Sequence, residues 1–178
     1  MNSWELIRSD PAAQFLDASR AQLAYWTDKV RHCFSQLTDE QVWWRPHPGN
    51  NALGNIVLHL CGNMRQWLID GIRGLANHRD RPGEFADREP HHKESLMAML
   101  DATVAEADAV LKSLSPGLPA SLMEPRRVQG FDINVMAAIH DAVPHVGGHA
   151  QEIVWITRLL LGERYRFHWK PTTREQGA

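Results

Sequence analysis

The chain has 178 residues, 43% of them hydrophobic, with a formal net charge of -2 and a pI near 6.5. That suits one domain with a single packed core, and it leaves no basic excess to neutralise phosphates, so nucleic-acid binding is not expected. Two cysteines, Cys33 and Cys61, are too few for a disulfide framework and imply a reduced, cytoplasmic compartment.

The first helix opens at Ser9-Asp10-Pro11, a capping residue followed by proline at the first helical position. Nothing before it has the basic-then-apolar order of a signal peptide. Leu16, Leu23, Trp26, Val30 and Phe34 then recur at three- and four-residue steps. "TDEQ", Thr38 to Gln41, reads as a capping box for a short helix carrying Val42 and Trp43. "RPHPGNN" is loop by its prolines, Gly49 and paired asparagines.

A second long helix is expected from about Asn51 to Gly71, with Leu53, Ile56, Val57, Leu60, Met64, Trp67 and Leu68 as its apolar stripe. The polar stretch "GLANHRDRPGEFADRE" is long enough to carry function or to cross the molecule. The third helix begins near Pro90 and ends before Ser115, with Leu96, Met97, Leu100, Val104, Ala107 and Leu111 facing the core. A proline-rich joint follows, with one short extended piece at Arg127 to Phe131. Asp132 caps the fourth helix, which runs to about Leu161 and stops at Gly162. No apolar run reaches the ~18 residues of a membrane span. Four amphipathic helices without a convincing set of strands define an all-α four-helix bundle with long crossover connections. The domain is expected over residues 1–165, with 166–178 as a tail.

The fourth helix contains "DAVPHVGGHAQEIVW", Asp141 to Trp155. Interior Pro144, Gly147 and Gly148 would together cost roughly 5 kcal/mol relative to alanine. Between and beside these residues stand His145 and His149. At ~100° per residue they stack one turn apart on the face that carries Val135, Ala142, Val146, Ile153, Ile156 and Leu160. Imidazoles placed there need hydrogen-bond partners or a metal, and the spacing suits two nitrogen donors to one ion. It is not a zinc-protease motif, which needs Glu directly after the first His, where Val146 stands. His59, on the flank of the second helix, either completes three nitrogens or bonds a carbonyl and packs. The other histidines read as solvated or unpartnered: His78, His91, His92, His47, His32, His168 and His140. Pro144 either kinks or unwinds the helix and re-aims His145, or starts a new helix after a break. Gly147 and Gly148 let a neighbouring helix approach and clear space beside an ion.

The second-helix run "NNALGNIVLHLCGN" (Asn50 to Asn63), the connection "HRDRPGEF" (His78 to Phe85) and "HVGGHAQEI" (His145 to Ile153) together resemble the DinB-like/YfiT-like superfamily of metal-dependent proteins. The resemblance covers most of the chain, from the first helix to about Leu161. It departs at Gln151-Glu152, where Gly-Gln is usual, and at Pro144 and the glycine pair. It implies that His59, His145 and His149 are the metal triad, holding a divalent ion: zinc or nickel first, iron or manganese as alternatives. It also implies thiol-dependent transfer chemistry on a small-molecule substrate, with a low-molecular-weight thiol as co-substrate. Competing readings are a metal-dependent hydrolase and a non-catalytic, stress-associated metal binder. Asn63 and Glu152 are candidates to orient a ligand, and Arg65, Arg79 and Arg81 to meet an anionic thiol, against a plainer reading as a solvated charge cluster. Cys61 faces away from His59 and reads as a small buried hydrophobe. A homodimer is expected, through helix faces or the Trp43-Trp44 region.

Overall fold

The computed structural model describes residues 10–168. Among them the chain is mostly helical, with one small two-stranded sheet. Helix α1 spans Pro11–Phe34, and the Asp10 carboxylate accepts from the Ala12 amide at 2.9 Å to cap it. Ser9 lies outside the described residues. Short α2, Asp39–Trp43, begins in the expected capping box: Thr38 Oγ1 accepts from the Gln41 amide and Gln41 Oε1 from the Thr38 amide.

The expected second helix is α3, Leu53–Met64, continued by a widened π turn over Arg65–Gly71. Within the polar connection lies a short helix, α4, Arg81–Ala86, capped by Asp80. Helix α5, Lys93–Ser113, starts three residues later than Pro90, because His92 takes the cap position. A four-residue turn of helix, α6, Ala120–Met123, leads into a hairpin of β1, Pro125–Val128, and β2, Phe131–Asn134.

The hairpin corrects two expectations. The single extended piece at Arg127 to Phe131 is in fact the inner end of both strands and the turn between them. Gln129 (φ 52) and Gly130 (φ 86) form that turn, both in the left-handed region that a tight two-residue hairpin needs. Asp132 is therefore a strand residue, paired with Arg127 at 2.7 Å, and Asn134 caps the last helix by accepting from the Ala137 amide at 2.8 Å.

Helix α7 runs unbroken from Val135 to Leu161 with Pro144 inside it. The local unwinding and the fresh start at Pro144 are both absent. Proline lacks the N–H that would bond the His140 carbonyl, so α7 continues with one ladder bond fewer. The two glycines part company. A Cβ on Gly147 would lie 2.8 Å from Trp26 Nε1, so this glycine admits the α1 indole; a Cβ on Gly148 would meet nothing within 4 Å. Both look towards α1 or solvent, and neither clears room beside the histidines.

The four long helices share one core. Helix α1 packs against α5 and α7, and α3 against the same two. Of the long helices that follow one another, α3 and α5 pack together, whereas α1 and α3, and α5 and α7, are not main packing partners. The expected stripes are where the core forms: Leu16, Leu23, Val30 and Phe34 from α1, Ile56, Leu60 and Met64 from α3, Leu100 and Leu111 from α5, and Val146 and Ile153 from α7 are all buried. Beyond α7, the backbone amide of Arg166 donates to Gln36 Oε1 at 2.7 Å and its carbonyl accepts from the Gln36 side chain, so residues 165–168 lie along α1. The rest of the expected tail lies outside the described residues. No helix among them is long and apolar enough to cross a membrane.

Candidate metal centre

His59 comes from the middle of α3, and His145 and His149 from the middle of α7, the two helices that pack together at this level. One ring nitrogen from each lies within 4.8 Å of the other two. His59 Nε2 and His145 Nε2 are 2.9 Å apart, and the three ring centroids are separated by 4.6–5.1 Å. Three nitrogens around a tetrahedral ion with bonds of 2.0–2.1 Å would stand roughly 3.3 Å apart, so the cluster needs only small adjustments to close on one. His59 is buried, and His145 and His149 are half-buried. The α7 pair thus lies at the edge of the core with a side open to solvent.

The far nitrogens are also held. His149 Nδ1 lies 2.8 Å from Glu152 Oε2, and His59 Nδ1 lies 3.0 Å from Glu84 Oε2. An imidazole whose Nδ1–H is taken by a carboxylate presents the Nε2 lone pair, the arrangement usual around histidine-bound metals. Glu84 is in turn fixed by Arg79, whose Nε and Nη2 donate to its two oxygens at 2.6 and 2.7 Å. Arg79 Nη2 also lies 2.9 Å from His59 Nδ1, but with the Glu84 carboxylate beside that nitrogen Nδ1–H is the donor to Glu84, which leaves the remaining Nη2 hydrogen to the His59 carbonyl oxygen at 3.3 Å. Arg79 Nη1 donates to Gln66 Oε1 at 3.0 Å, and Gln66 sits on the π turn. Phe85 closes the cluster from α4, its ring 4.7 Å from that of His59.

The donor set fits a divalent ion. Asn63, one turn beyond His59 on α3, is buried, and its Oδ1 has no hydrogen-bond partner among the described residues.

Burial is the largest influence on His59 and lowers its pKa from 6.5 to about 4; the bond to Glu84 opposes this, and the Arg79 charge reinforces it. Burial likewise lowers His145. Both imidazoles are neutral at neutral pH, as ligands must be. Below pH 6.5 the unfolded chain takes up a proton at His59 that the folded chain refuses until about pH 4. Stability present above pH 6.5 is therefore lost as pH falls through that window, by about 3 kcal/mol from this residue. Urea unfolding of metal-free protein at steps from pH 7 to pH 4 measures it, and a midpoint that does not fall over this interval contradicts the burial of a neutral His59.

Arg79 is not part of a solvated cluster: its side chain is 4% exposed and bound to Glu84. Arg65 pairs with Glu106 at 3.0 Å, and Arg81 stacks over Phe85 at 5.2 Å. Cys61 is buried away from the triad beside Thr103, and burial raises its thiol to about 11. His32 and His168, without inferred partners from sequence, bond the Arg166 carbonyl and Asp28. His91 and His92 likewise pair with Asp87 and Asp39. Glu84 is the residue at the histidine cluster that the sequence did not single out. Its signal is the glutamate of "HRDRPGEF", the same connection that carries Arg79 and Arg81.

Fold and site together define a mostly helical protein with a three-histidine group that could hold a metal ion. The chain belongs to the family described as protein of unknown function DUF1572, which matches residues 10–173. Among solved structures, it is similar to a conserved protein from Enterococcus faecalis, with a TM-score of 0.60 at 16% identity over 81% of this chain and 95% of that one. That likeness concerns the fold alone. No curated protein matches the chain.

Proposed function

We propose that this chain is a divalent-metal-dependent enzyme of the DinB-like/YfiT-like four-helix-bundle superfamily, acting as a transferase that uses a small thiol. The observation that carries the reading is the pair of anchored imidazoles: His59 on Glu84 and His149 on Glu152, with His145 between them. Three neutral ligands would leave the full charge of a bound zinc or nickel ion in place, and such an ion would supply Lewis acidity toward a thiol. The chain's own groups do the rest. His59, His145 and His149 would hold the ion. Glu84, locked by Arg79, fixes the His59 tautomer and ring, and Glu152 does the same for His149. The half-buried α7 side leaves an approach for a small molecule, and Phe85 keeps the His59 side dry.

The test is a panel of glutathione, bacillithiol, mycothiol and coenzyme A with an electrophilic acceptor, run on metal-loaded protein. Turnover with one of them, abolished by His59→Ala in a variant that keeps its helical circular dichroism, is the expected result. If no thiol perturbs the visible spectrum of a cobalt-substituted sample, the transferase reading falls and a metal-dependent hydrolase or a non-catalytic metal binder takes its place.

A homodimer belongs to the same proposal. Trp43 is committed internally, its Nε1 donating to the His91 carbonyl at 2.8 Å and its ring packed on Gly54. The available helix face is the apolar groove of about 480 Å³ between α1 and α7, floored by Trp26, Pro144 and Gly148. Light scattering should give twice the chain mass at micromolar concentration. A monomer there rules the dimer out.

A further inference from the structure

A second cavity adjoins the candidate metal centre through one shared residue. It is a cleft of about 250 Å³ between the loop from Trp44 to Asn51 and the outer face of α7 at Glu152, Trp155 and Leu159. Trp155 is 64% exposed and Trp44 38%, so neither indole is spent on the core. Glu152 is the single charged side chain of the lining, and no lysine or arginine is part of it. Its Oε2 bonds His149 Nδ1 at 2.8 Å, and no protein hydrogen bond falls on its Oε1 among the described residues.

Two indoles beside one carboxylate, without a compensating cation, form a complementary surface for positive charge. Aromatic faces attract ammonium groups through their quadrupole, and the attraction grows where water is partly excluded. An anionic ligand would instead meet Glu152 with nothing to offset the repulsion. The volume lies below the usual range for drug-sized ligands, which limits the occupant to a small molecule. We propose that this cleft binds a small organic ammonium ion, with Trp44 and Trp155 as its aromatic walls and Glu152 as its counter-charge. The two oxygens of Glu152 then have separate tasks, Oε2 for His149 and Oε1 for the ligand. The site does not need the metal ion to be present.

The experiment compares choline with dimethylbutanol, its uncharged carbon isostere. Indole N–H shifts in NMR spectra of the full chain, assigned with Trp44→Phe and Trp155→Phe, report binding. Choline is expected to shift Trp44 and Trp155 and to bind about tenfold tighter than the isostere, the ratio that a cation–π and carboxylate contact of ordinary strength gives. Glu152→Gln should abolish that preference. Trp155→Ala should weaken choline binding while the metal content of the protein stays as in the wild type, which separates this site from the metal reading. Equal affinity for the isostere, or no shift at either tryptophan, overturns the proposal. So does a Trp155→Ala variant that turns a dimer into a monomer, since the cleft would then belong to the contact between copies.

Discussion

Arg79→Met should destabilise the protein by about 3–5 kcal/mol, the usual loss when one partner of a buried ion pair is removed. Arg79 and Glu84 are 4% and 11% exposed, and Arg79 spans both carboxylate oxygens. Without it, Glu84 remains as a lone charge facing His59. Thermal unfolding should fall by roughly 10 °C for a domain of this size. The double variant Arg79→Met with Glu84→Gln should recover much of that loss, because neither residue then leaves an unpaired charge. A single variant as stable as the wild type would mean that the pair is solvated and does not anchor His59.

Gly62→Ala is expected to be nearly as damaging, and to reach the metal as well. A Cβ at this position would overlap Glu84 Oε1 and lie 2.8 Å from its Cδ and 2.9 Å from Arg79 Nε. The end of a glutamate side chain usually yields to such a contact, but this one is pinned by Arg79 and His59. The choice is to tear the carboxylate from its partners or to push α4 away from α3. Either costs about 2–4 kcal/mol by breaking a buried polar network. Loss of the Glu84 anchor should also weaken metal binding by about 10- to 100-fold, the range for residues that support a metal ligand. A chelator competition titration on the variant reads this directly. Unchanged affinity alongside lowered stability would leave Glu84 a structural residue only.

The helices were legible because each declares itself by period and caps. Thr38 to Gln41 and Asp10-Pro11 start helices by local chemistry that no distant contact alters. Two of the three histidines were legible for a related reason, since His145 and His149 share a face by helical geometry alone, whereas His59 joins them only through the family resemblance. What escaped was tertiary. Nothing local shows that Arg79 in a polar connection is buried, because its burial depends on α4 docking over α3. The role of Glu84 depends on the same docking. Gly62 is needed only because that carboxylate arrives from 22 positions further along the chain. The hairpin is half visible: Gln129-Gly130 is a turn dipeptide, but its flanking strands of four residues each are too short to show an alternating pattern of their own. Pro144 misled in the other direction. It removes one ladder hydrogen bond, and α7 continues through it without a break.

The central claim is that His59, His145 and His149 bind one divalent ion, and metal content measures it most directly. Protein purified without a histidine tag should carry close to one equivalent of a transition metal per chain by elemental analysis, or take up one on reconstitution with zinc or nickel. His59→Ala and His149→Ala should each lose nearly all of it while keeping the helical circular dichroism of the wild type. A wild type that takes up no ion, or variants whose metal content is unchanged, would contradict the assignment.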